Sequence, residues 1–87
     1  MKPIDYIAEH YPDLVVFDGL DDCVLGIAWI FQSPVVAYDH AKVLETFSND
    51  LGIGIDEAEE YYSYNVAGAY VGETTPAFIE FLEVEHE

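Results

Sequence analysis

The chain has 87 residues, of which eighteen are Asp or Glu and only two, Lys2 and Lys42, are basic, for a formal net charge of -16 at pH 7. A body this negative repels phosphates and anionic lipid, which excludes direct binding to nucleic acid or to an acidic membrane surface. Hydrophobic residues at 52% and aromatics at 15% exclude the disorder that so high a charge otherwise brings, so the chain is read as one folded domain spanning residues 1–87.

Ile4, Ile7, Ala8 and Tyr11 fall at helical spacing ahead of Pro12, which predicts a short amphipathic helix over Pro3–His10. Residues 14–17 form a compact apolar run that ends in Asp18-Gly19-Leu20-Asp21-Asp22, the pattern of a strand leaving into a turn. A second apolar run, residues 23–31, carries Gly26 and few good helix formers. It reads as a strand, followed after Gln32-Ser33-Pro34 by another over residues 35–38.

Asp39 is placed to cap a helix whose apolar positions Val43, Leu44, Phe47 and Leu51 keep the helical period, with Gly52 placed to end it. Asp56 with Glu59 three residues on resembles a capping box, with Ile55 ahead of it, so a further helix is expected over residues 56–70. Gly72 is placed to close that helix, and Pro76 opens a last extended segment over residues 77–84. The expected fold is therefore α+β, in the order α-β-β-β-α-α-β. It comprises a small antiparallel sheet, a three-stranded meander plus a C-terminal strand, with two to three helices packed on it.

If residues 23–31 are a strand, Leu25, Ile27, Trp29 and Phe31 face one way and Val24, Gly26, Ala28 and Ile30 the other. Both faces are apolar. The face left by the main helical layer is then covered by the N-terminal helix or by a second copy of the chain, and a homodimer is the expectation.

The lone Cys23 excludes an internal disulfide and supplies no zinc quartet, which suits a reducing compartment. No long apolar run or cleavage pattern marks the first residues, and no run reaches the roughly 18 residues of a membrane span, so a cytoplasmic protein is expected. Cys23, His40 and Asn65 are the residue types of a thiol-hydrolase triad without its spacing, and two carboxylates precede the thiol. Asp18, Asp21 and Asp22 lack the ligand alternation of a calcium loop, and His10, His40 and His86 share no close spacing. No catalytic residue, metal or cofactor is therefore expected.

The acidic residues concentrate at Asp18, Asp21 and Asp22, at Asp56, Glu57, Glu59 and Glu60, and at Glu80, Glu83, Glu85 and Glu87. First-turn placement explains part of the second group, but ordinary surfaces mix both signs and this one does not. Carboxylates at a density comparable to that of DNA phosphates suit a phosphate-binding channel, which points to nucleic-acid mimicry. Adaptation to high salt is a rival cause of the same composition.

Much of the chain, from about residue 17 to 78, resembles a group of small uncharacterised bacteriophage and prophage proteins. The resemblance rests on Asp18-Gly19-Leu20-Asp21-Asp22, Pro34-Val35-Val36-Ala37-Tyr38-Asp39, Lys42, Glu57-Ala58, Tyr61, Asn65, Gly68-Ala69, Val71-Gly72-Glu73 and Thr75-Pro76. It implies a viral origin, action inside the host cell and no particular activity. Where that group carries basic residues near the hairpin and later helices, this chain has Trp29 to Gln32 and Tyr62 to Tyr64. Small acidic phage proteins look like blockers of host nucleic-acid enzymes.

Charge, size and resemblance together lead to a non-enzymatic inhibitor of a basic, nucleic-acid-binding host protein. Asp21, Asp22, Asp56, Glu57, Glu59 and Glu60 are the expected source of charge, with Tyr61 and Tyr62 as anchors. The alternative is a small ligand-binding or enzymatic domain with a pocket near Asn65, Glu73 and Thr74, where a helix ends beside a loop.

Overall fold

In the computed structural model, which describes residues 1–67 and 72–82, three helices and a three-stranded mixed sheet form an α+β fold. Helix α1 (Pro3–His10) starts on a proline, whose missing N–H costs nothing at the first helical turn. It buries Ile7 and lays Ile4 and Tyr11 against the same cluster. Strands β1 (Val24–Ile30) and β2 (Ser33–Asp39) pair antiparallel through a two-residue turn, Phe31-Gln32.

Asp39 then caps α2 (His40–Leu51), its Oδ1 accepting from the Lys42 N–H at 3.3 Å. Gly52 closes that helix in the left-handed conformation, φ 65°, which a side chain would resist. Helix α3 (Ile55–Tyr62) follows and passes into a π-turn, Ser63–Ala67. Strand β3 (Ala77–Ile79) completes the sheet in the order β1-β2-β3.

Three expectations are corrected. The apolar run at residues 14–17 forms no strand. Its Leu14 and Phe17 pack against the core, and the Phe17 N–H is satisfied by the Tyr38 hydroxyl at 2.8 Å instead of by a ladder partner. The C-terminal strand runs parallel to β2, because two helices intervene and supply the crossover that a parallel pair needs. The capping box at Asp56 does not form, since α3 begins one residue earlier with Gly54 as its cap and no side-chain cap bond. The expected helical residues 68–70 and the acids Glu83, Glu85 and Glu87 lie outside the described residues, as does His86.

The core lies between the sheet and α1 and α2. Val36 and Tyr38 point to one face of central β2 and meet Ile7, Leu20, Cys23, Val24 and Val43. Alternation sends Val35 and Ala37 to the opposite face, where they too are buried, as expected for a central strand. The simple alternation expected along β1 is broken by a bulge between Val24 and Gly26, which puts Val24 and Ile27 beside Tyr38 and Val36 on the core face. Phe17, Tyr38, Tyr62 and Phe78 pack in one aromatic cluster, in successive contacts with ring centroids 5.2 to 6.0 Å apart, tying α3 and β3 to the sheet.

Candidate protein-binding surface

Of the acids in the described residues, Asp39 alone is half-buried and the rest are exposed, so the negative charge lies on the surface with no buried charged group. The candidates differ in what stands beside them. Asp21 and Asp22 sit in a short 3-10 turn, Asp21–Cys23, at a cleft also lined by Lys2 and Lys42, the only two lysines of the chain. The Lys2 Nζ donates to Asp22 Oδ1 at 2.9 Å. That hydrogen bond and the charge behind it hold the Asp22 carboxyl below its ordinary value, with Lys42 adding to the effect, and raise Lys2 above its own. Asp22 is thus paired, and Asp21 shares its cleft with both lysines.

The second cluster differs. Asp56, Glu59, Glu60 and Ser63 fall at i, i+3, i+4 and i+7, so they share one face of α3 and its continuation. With Tyr64 they line a shallow cleft of about 480 Å³. Among the described residues none of these carboxylates has a basic partner. Glu57 is exposed on the same helix outside this cleft. Helix α3 therefore presents an uncompensated acidic face with a tyrosine wall.

The two tyrosines expected as anchors part company. Tyr62 turns inward, its ring edge-on to His40 at 4.9 Å and to Phe78 at 5.2 Å, and burial pushes its phenol up. Tyr61 leans edge-on against Phe47 at 4.9 Å and stays 39% exposed. Tyr64, which the sequence did not single out, is 86% exposed and takes the place at the cleft. The buried positions of this region are Ala58 and Val66, in step with inward Tyr62 at intervals of four; that spacing was the available signal.

The Asn65 side-chain amide donates to the Tyr61 carbonyl at 3.0 Å on its own helix, Glu73 is exposed, and Thr74 is half-buried in the turn after Gly72. Of the residue types of a hydrolase triad, His40 lies against Tyr62 and Glu80. Cys23 is buried with its Sγ 3.3 Å from Thr46 Oγ1, and because the Thr46 hydroxyl donates to the Lys42 carbonyl at 2.8 Å, the thiol hydrogen is the one shared with Thr46. Burial pushes this thiol up, away from the reactive thiolate. Among the described residues no three His, Cys, Asp or Glu are grouped to hold a metal ion, and no helix is long and apolar enough to cross a membrane. Comparison with protein-family profiles, with characterised proteins and with solved structures found no match for the chain.

Proposed function

We propose that this chain is a non-enzymatic inhibitor of viral origin that binds a basic, nucleic-acid-binding host protein and denies it DNA or RNA, in the manner of a DNA mimic or an anti-CRISPR protein. The observation that carries the reading is the segregation of charge. Both lysines stand beside Asp21 and Asp22, while the face bearing Asp56, Glu59 and Glu60 keeps its full negative charge.

Carboxylates three and four residues apart around a small cleft suit the planar fork of an arginine, and the exposed Tyr64 ring offers that cation a π surface. The same carboxylates repel one another along α3, so a cationic partner relieves a cost the free protein carries. Beyond the contact, the net charge of -16 draws a basic surface from a distance and speeds its approach.

The test is capture from bacterial lysate treated with nuclease, eluted by a salt gradient. The reading expects one nucleic-acid-binding complex, released by salt and displaced by its own DNA or RNA. Recovery of generic basic proteins alone, retained equally by a Glu59→Lys/Glu60→Lys variant, contradicts it.

A further inference from the structure

Residues 23–38 contain no charged side chain, in a chain where eighteen of 87 residues are acidic. This stretch holds the β1–β2 hairpin short of its last residue, Asp39, and the hairpin tip is apolar and bare: Trp29 is 61% exposed, Ile30 51% and Phe31 99%. Phe31 also holds φ at 55°, the first position of a two-residue hairpin turn, where glycine is favoured and a bulky side chain is strained. A strained, wholly exposed aromatic contributes nothing to the isolated fold, so its use lies outside it.

Beside the tip, on the same strand, Leu25, Gly26 and Ile27 join Pro3, Tyr6 and Tyr11 of the α1 region in lining an apolar groove of about 460 Å³. Among the described residues β1 is an outer strand, and no backbone group other than those of β2 bonds to residues 26–30.

We infer that β1 is a self-association edge, on which a second copy of this chain adds its own β1 antiparallel to the first. The regular part of the strand, between the bulge and the turn, is residues 26–30, with Ala28 at its midpoint. A two-fold axis at Ala28 sets Ile27 opposite the second copy's Trp29 and Gly26 opposite its Ile30. A Cβ built on Gly26 meets nothing within 4 Å, so the second copy's Ile30 finds open space there. The second copy's Phe31 then lies by Leu25, at the apolar groove. Tip and groove lie on one strand at spacings that this operation exchanges, so the edge is self-complementary.

The occupant follows from charge and area. Two bodies of -16 repel, and the hairpin is where they meet without opposed carboxylates. The exposed parts of Tyr6, Leu25, Trp29, Ile30 and Phe31 present on the order of 600 Å², at about 200 Å² for a fully exposed large side chain. With the strand backbone added, this approaches the roughly 800 Å² per partner of a stable interface.

The inference stands independently of the proposed inhibition, and salt separates the two. Screening strengthens association of like-charged copies and weakens attraction to a basic partner. The experiment is sedimentation of wild type and Phe31→Gly from roughly 1 to 500 µM, at about 50 and 500 mM salt. The wild type is expected to form a dimer that tightens with salt. Phe31→Gly is expected to melt at a higher temperature than the wild type at low concentration, because glycine fits the turn. It is also expected to dimerise about tenfold or more weakly. Opposite signs for folding and association cannot come from a damaged fold. A wild type that stays monomeric throughout, or a Phe31→Gly dimer as tight as wild type, overturns the inference. So does loss of lysate capture by Phe31→Gly in a chain that is monomeric alone, since the tip would then serve a foreign partner.

Discussion

At the residue scale, Tyr38 joins three parts of the molecule. Its ring stacks on Phe78 and leans on Phe17, while its hydroxyl accepts the Phe17 N–H at 2.8 Å and so replaces the strand partner that segment lacks. Tyr38→Phe keeps the ring and leaves that N–H without its acceptor. Chemical denaturation is expected to show a loss of about 1–2 kcal/mol, and an unchanged midpoint would place the bond's worth near zero. Burial is the main cause that raises Cys23, Tyr38 and Tyr62 above their ordinary values. For groups shifted upward, the contribution to stability is complete below the unfolded-state value and is lost as pH climbs toward the folded one. Stability is therefore expected to fall from about pH 8.5 upward, first through the thiol and then, near pH 10, through the phenols. Cys23→Ala lowers stability at every pH but is expected to flatten the first part of that decline in melting curves taken between about pH 8 and 10. An equally steep decline in the variant would remove Cys23 from the account.

At the element scale, the helices were legible where caps and apolar period agreed. Asp39, Val43, Leu44 and Gly52 mark α2 in the sequence and do the same work in the fold. The two strand failures share one cause: strand identity depends on a neighbour, and apolar content does not name one. Residues 14–17 are as apolar as a strand but spend their groups on Tyr38 and the core, and β3 is a strand because β2 has a free edge for it. On α3, local charge and stability pull in opposite directions. Asp56 and Glu60 are like charges one turn apart, so Glu60→Lys replaces a repulsion with an attraction in the favourable orientation. The variant is expected to gain a few tenths of a kcal/mol in thermal or chemical denaturation while losing partner capture. A destabilised Glu60→Lys would mean that this carboxylate has a structural role not visible in its surroundings.

At the scale of the whole molecule, the distribution of charge matters more than its sum. That the chain is acidic is plain from composition, and Asp56, Glu57, Glu59 and Glu60 stand out in it as one run of acids. The sequence concealed where the two lysines would go. Lys42 is twenty residues from Asp22, yet chain folding brings it and Lys2 to the same cleft, leaving the acids of α3 without a basic partner among the described residues. The inward turn of Tyr62 was available from its four-residue step with Ala58 and Val66, but its place against Phe78 and His40 was not, since both are remote in the chain. The central claim is that this α3 face, and not total charge, binds a basic partner. The most direct measurement compares capture from nuclease-treated lysate by wild type, by Glu59→Lys/Glu60→Lys and by Asp21→Lys/Asp22→Lys, two variants of equal net charge. Loss of the salt-sensitive partner in the α3 variant, with retention in the other, is the predicted result. Equal loss in both, or retention in both, would contradict it.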